Sequence, residues 1–138
     1  MRIFLDANIL FSAGKSAGAM RGFLEALKSS GHTLVADVYV LAEARRNLEA
    51  KFPASLKDFE ILLKQLESST TLRGFLPPEI APELPEKDRP VLAAAIQSRC
   101  HILLTGDKTH FGPLYAKNLE GVTIHSPSSL ASVSGLHV

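Results

Sequence analysis

Residues 2–8 read Arg2-Ile3-Phe4-Leu5-Asp6-Ala7-Asn8, and residues 101–107 read His101-Ile102-Leu103-Leu104-Thr105-Gly106-Asp107. In both, a short apolar run of the kind buried on both faces of a parallel sheet ends at an acidic residue. Helical patterns separate these runs. The spacing predicts strands over 2–5, 32–36, 101–104 and 122–125, with a possible strand over 70–76. Helices are predicted over 7–12, 19–30, 37–51, 53–67, 89–100 and 126–131. Gly31 stops the second helix, Asp37 is a good N-cap for the third, and Pro53 and Pro90 fit first turns. Strands alternating with helices predict an α/β fold: a three-layer α/β/α sandwich around a central, mainly parallel sheet of four to five strands.

The chain has 138 residues, enough for one domain with a full core, and reads as a single domain over 1–138. A net charge of +1 excludes a protein that holds nucleic acid by bulk charge, so any such contact must be local. Cys100 is the only cysteine, which excludes an internal disulfide and a thiolate zinc site. It reads as a small core residue. Residues 1–5 are too short for the apolar core of an export signal, and the longest apolar run, 91–96, is too short for a membrane span. These features predict a soluble, cytoplasmic protein with no membrane association.

Four acidic residues carry the chemistry. Asp6 and Asp107 end strands, Asp88 precedes the helix over 89–100, and Glu43 lies within the helix over 37–51. In a parallel α/β sheet the carboxyl ends of the strands share one edge, and ligands bind in the crevice there. Carboxylates gathered at that edge repel one another and stay ionised only around a positive charge. A hard divalent cation such as Mg²⁺ or Mn²⁺ suits oxygen ligands. A metal-dependent hydrolase of phosphodiesters is the functional expectation.

Each acid also has a structural explanation. Asp6, Asp88 and Asp107 stand where Asp is a favoured helix cap, and Asp37 looks like a cap and nothing more. Glu43 is different: it points away from a predicted Leu41/Ala44/Leu48 stripe and shares its face with Tyr39 and Asn47. Its side chain leans back toward the strand edge. Asn8, two residues after Asp6, can hold a water or a phosphate oxygen. Thr105, two before Asp107, can hydrogen-bond a ligating carboxylate.

These residues carry a family resemblance. Asp6-Ala7-Asn8, the acid in the helix after the second strand, Lys87-Asp88-Arg89-Pro90-Val91-Leu92-Ala93-Ala94-Ala95-Ile96 and Leu104-Thr105-Gly106-Asp107 resemble the PIN domain, most closely its VapC-like branch of ribonuclease toxins. The resemblance runs from Arg2 to about His125. It implies a Mg²⁺- or Mn²⁺-dependent endoribonuclease. Asp6, Glu43, Asp88 and Asp107 would be its catalytic and metal-binding acids, with Asn8 and Thr105 supporting them. It also implies an RNA substrate, a small antitoxin partner and a homodimer, for which the apolar faces of the third and fourth helices are candidates. Two departures stand out: Ala36-Asp37-Val38 replaces a Ser/Thr of many relatives, and Arg89-Pro90 replaces small residues.

Lys15, Arg45, Arg46, Lys87, Arg89, Lys108 and His110 lie near the proposed edge. Lys108, His110, Arg89 and Lys87 are the candidate RNA contacts, the first two because they directly follow Asp107. No aromatic platform for bases is expected, since Trp is absent and Tyr39, Phe11 and Phe111 look isolated. A phosphoaspartyl enzyme of the dehalogenase type would need a second Asp where Asn8 stands. A receiver domain would need an acidic pair after the first strand. A dinucleotide site would need a glycine-rich first turn. The remaining rival is a non-catalytic PIN-like binding or regulatory module.

Overall fold

The computed structural model describes residues 1–70 and 72–136. Strands β1 (Arg2–Leu5), β2 (Thr33–Asp37), β3 (Glu67–Ser69), β4 (Ile102–Leu104), β5 (Asn118–Leu119) and β6 (Val122–His125) form one sheet in the order β3-β2-β1-β4-β6-β5. Only β5, against β6, is antiparallel. The helices are α1 (Ala7–Lys15), α2 (Ala19–Ser29), α3 (Val38–Lys51), α4 (Leu56–Leu63), α5 (Arg89–Gln97), α6 (Lys108–Phe111) and α7 (Pro127–Ser134).

The order steps outward from β1 to β3, then returns to the other side of β1 for β4. Right-handed crossovers therefore put α1–α4 on one face of the sheet and α5 on the other. The direction reverses between β1 and β4, and that switch point is where an open α/β sheet leaves a crevice at its carboxyl edge. Leu5 pairs with Leu104 in register, so Asp6 and Thr105 leave the sheet side by side.

The core explains why these segments are strands. Ile3, Phe4, Leu5, Leu103 and Leu104 are fully buried, as the unbroken apolar runs require. Phe23, Phe59 and Phe111 are buried in the core as well. Each such side chain contributes about 1.5–3 kcal/mol of burial. Gly14 lets α1 approach its neighbours closely: a Cβ there would sit 2.8 Å from both Leu48 Cδ1 and Phe59 Cδ1. Cys100 is buried, and burial pushes its thiol up to about 11, so it stays protonated as a core group.

Several boundaries differ from expectation. The third strand is Glu67–Ser69; residues 70 and 72–76 carry no strand, and Thr71 lies outside the described residues. A 3₁₀ turn, Pro53–Ser55, precedes α4, and the helix stops at Leu63 rather than 67. Six strands replace four to five because β3 and β5 have three and two residues, too short for any periodicity. The buried stripe of α3 is Val40, Ala44 and Leu48, with Leu41 only partly covered. Glu43 still falls outside that stripe and is exposed.

Candidate active site

One cleft at the carboxyl edge is lined by Asp6, Asn8, Tyr39, Glu43, Arg46, Arg73, Lys87, Asp88, Asp107 and His110, among others. The four acids singled out from the sequence thus converge, although they arise from four separate segments. Asp6 comes from the end of β1, Glu43 from the second turn of α3, Asp88 from the start of α5, and Asp107 from the turn after β4.

Asp6 is the most enclosed of them, at 8% exposure. Its Oδ1 accepts the Ala7 amide (2.8 Å) and its Oδ2 accepts the Thr105 hydroxyl (2.8 Å). Thr105 is fully buried, and its Oγ1 also accepts the Asp107 amide at 3.2 Å. Asn8 ties the two junctions together: its Nδ2 donates to Asp6 Oδ2 (3.3 Å), and its Oδ1 accepts the Gly106 amide (2.8 Å). A Cβ at residue 106 would stand 3.3 Å from Asn8 Oδ1, so glycine there keeps that bond close. Asn8 and Thr105, the two residues expected to support the acids, hydrogen-bond to Asp6 and to the backbone around Asp107. Burial pushes the Asp6 carboxyl above its ordinary range; the Thr105 and Ala7 bonds pull it down, and Glu43 and Asp88 push it up again.

The helix-cap explanation divides the acids. Asp6 caps α1 through Ala7, and Asp107 caps α6 through the His110 amide (3.1 Å). Asp88 stands at the N-cap of α5 but its side chain caps nothing. Its Oδ2 is buried without a hydrogen-bond partner. That oxygen is 3.0 Å from His110 Nδ1, but this nitrogen is hydrogen-bonded to Asp107 Oδ2 at 2.8 Å and has no second proton to give. Burial raises the Asp88 carboxyl; His110 lowers it, Asp107 raises it and Lys87 lowers it. Asp88, Asp107 and His110 place three ligand atoms within 4.8 Å of one another.

An orphaned buried carboxylate oxygen among further oxygen donors fits a hard divalent cation, which would supply the missing partner. Asp6, Asp88 and Asp107, with Glu43 at the rim, are the residues that would hold it. His110, expected as an RNA contact, lines the cleft with its ring nitrogen against both Asp88 and Asp107.

The other three basic candidates fare differently. Lys87 is exposed on the cleft. Lys108 is exposed but does not line it. Arg89 is a correction: it is only 8% exposed, and its guanidinium donates to the carbonyls of Ala81 (2.8 Å), Pro77 (2.9 Å) and Ile80 (2.9 Å). It pins the proline-rich loop before α5 and has no face to offer a ligand. Asp37 is more than a cap. Besides accepting the Val40 amide, it pairs with Arg73, a cleft residue that sequence reasoning missed because it read 70–76 only as a possible strand.

A family model for the PIN domain matches residues 2–109, a span that contains all four acids. The chain belongs to the PIN domain family. Two solved structures share its fold. VapBC2 from Rickettsia felis, bound to a DNA fragment from its promoter, gives a TM-score of 0.65 at 20% identity, covering 91% of this chain and 98% of that one. VapBC-1 from nontypeable Haemophilus influenzae gives 0.58 at 14% identity, covering 93% and 99%. No curated protein sequence matches the chain. Among the described residues, no helix of this PIN domain is long and apolar enough to cross a membrane.

Proposed function

We propose that this PIN domain is a Mg²⁺- or Mn²⁺-dependent endoribonuclease, the toxin of a toxin–antitoxin pair. The observation that carries the reading is Asp88: a carboxylate at a helix start that caps nothing and keeps one buried oxygen without a hydrogen-bond partner. A purely structural acid would be spent on the helix or turned to solvent. The fold shared with VapBC structures supports the toxin assignment.

A bound cation supplies Lewis acidity and a water acidic enough to ionise near neutral pH. The chain's own residues prepare the site for it. Thr105 and the Ala7 amide fix the Asp6 carboxylate, and His110 fixes Asp107. Asn8 locks the turn after β4 to the start of α1. Arg46 and Lys87 lie on the same cleft and hold the RNA backbone on its approach to the acids. Charge on the attacked phosphate would be met by the cation and the basic side chains, and the reaction needs no side chain as a covalent nucleophile.

The partners follow from the same reading. A small antitoxin covers the acidic cleft, with a cationic side chain directed at the carboxylates. The protein works in the cytoplasm as a homodimer. The test is incubation of a mixed RNA pool with purified protein in Mg²⁺, Mn²⁺ or EDTA, beside Asp6→Asn and Asp107→Asn. Cleavage that requires metal and disappears in both variants is expected. Absence of cleavage in every metal would leave a non-catalytic PIN-like binding module instead.

A further inference from the structure

Tyr39, in the first turn of α3, looked isolated in the sequence. In the fold the residue is 50% exposed on the rim of the acidic cleft. The Arg73 guanidinium carbon lies 4.7 Å from the ring centroid. Arg73 is itself clamped: its Nε and Nη2 donate to Asp37 Oδ2 (2.7 Å) and Oδ1 (3.2 Å). Asp37 is 1% exposed and further held by the Val40 amide.

We propose that Tyr39 and Arg73 form a stacking subsite that holds one base of single-stranded RNA beside the catalytic carboxylates. The inference rests on the ribonuclease reading and adds to it how the substrate is gripped. Three features point to a base. The bidentate pairing with buried Asp37 neutralises Arg73, which weakens it as a phosphate clamp but leaves its flat face intact. The Tyr39 hydroxyl makes no hydrogen bond among the described residues, and the half-exposed ring fills no core space beyond its contact with Arg73. Arg46 and Lys87 are on the same cleft to meet phosphate charge.

The arrangement also suits binding physically. A salt bridge and a cation–π contact hold the plate in place before a ligand arrives, so little side-chain freedom is lost on stacking. Stacking on an aromatic face needs an unstacked base, which selects single strands, and it tolerates any base because every base has a π-face.

The test is fluorescence anisotropy of a labelled single-stranded RNA of mixed sequence and of an abasic chain of equal length. Asp107→Asn serves as the non-cleaving parent, in Mg²⁺. Adding Tyr39→Ala is expected to weaken RNA binding roughly 5- to 100-fold and leave the abasic chain unchanged. Tyr39→Phe should bind as the parent does. Arg73→Lys, which keeps the charge and loses the plane, should also weaken RNA alone; it decides the matter if Tyr39→Ala does not fold. Equal losses on both chains, no loss on either, or a parent that does not prefer RNA to the abasic chain would each overturn the subsite. Wild-type cleavage of RNA, measured alongside, reports separately on the ribonuclease reading.

Discussion

Thr105 Oγ1 donates a 2.8 Å hydrogen bond to Asp6 Oδ2, joining the ends of two neighbouring parallel strands at the point where the sheet reverses its winding. The same hydroxyl accepts the Asp107 amide, so one buried oxygen orients the first acid and the backbone of the last. Thr105→Val keeps the shape and removes the hydroxyl. The Asp6 oxygen and the Asp107 amide then lose a partner, at about 1–3 kcal/mol for each group left buried and unpaired. Divalent-cation affinity is expected to fall by about 10- to 100-fold, as for other residues that orient metal ligands. Thermal denaturation and Mn²⁺ titration of the variant check both effects.

Asp88 gives a pH-dependent expectation. Burial lifts its folded-state pKa above the ordinary value of 3.8. A carboxyl raised in this way binds its proton more tightly folded than unfolded. Its penalty on stability is absent below pH 3.8, grows as the pH climbs through the folded value, and is complete at neutral pH. Asp88→Asn removes that penalty. In EDTA the variant should melt higher than the wild type at pH 7, with the gap closing as the pH falls toward 4. A variant that melts lower at pH 7 would mean that the charge has a stabilising partner.

Arg89 tests the boundary between site and scaffold. Its guanidinium holds three carbonyls of the loop over 77–81. Arg89→Met keeps the aliphatic bulk; Pro77 and Ala81 still accept the Ile80 and Leu84 amides, but the Ile80 carbonyl loses its partner, at a loss on the order of 1–3 kcal/mol in stability. RNA affinity of the folded fraction should be unchanged. Urea denaturation beside an RNA-binding measurement separates these outcomes, and a selective loss of RNA binding would restore Arg89 to the interface.

The sheet and the convergence of the four acids on one cleft were legible because they rest on local signals. Ile3-Phe4-Leu5 and Ile102-Leu103-Leu104 are strands wherever they stand, and an acid directly after such a run lands on the carboxyl edge. Glu43 was found by helical phase, and it kept its place even though the buried stripe proved to be Val40/Ala44/Leu48. What failed depended on long-range contact. Arg73 meets Asp37 across 36 positions of sequence, and no periodicity marks that pairing. Arg89 follows an acid of the site, as a phosphate-binding residue would, yet its side chain turns back to loop carbonyls that only the fold supplies. His110 was singled out because it follows Asp107, and that position, one helical turn on, is what brings its ring to the carboxylates.

Calorimetric titration of Mn²⁺ into the wild type and into Asp88→Asn tests most directly whether the convergent carboxylates form a cation site. The wild type is expected to bind, and loss of the unpartnered Asp88 oxygen should weaken binding at least tenfold without loss of fold. Equal binding by both proteins, or none by the wild type, would contradict a metal centre built on Asp88.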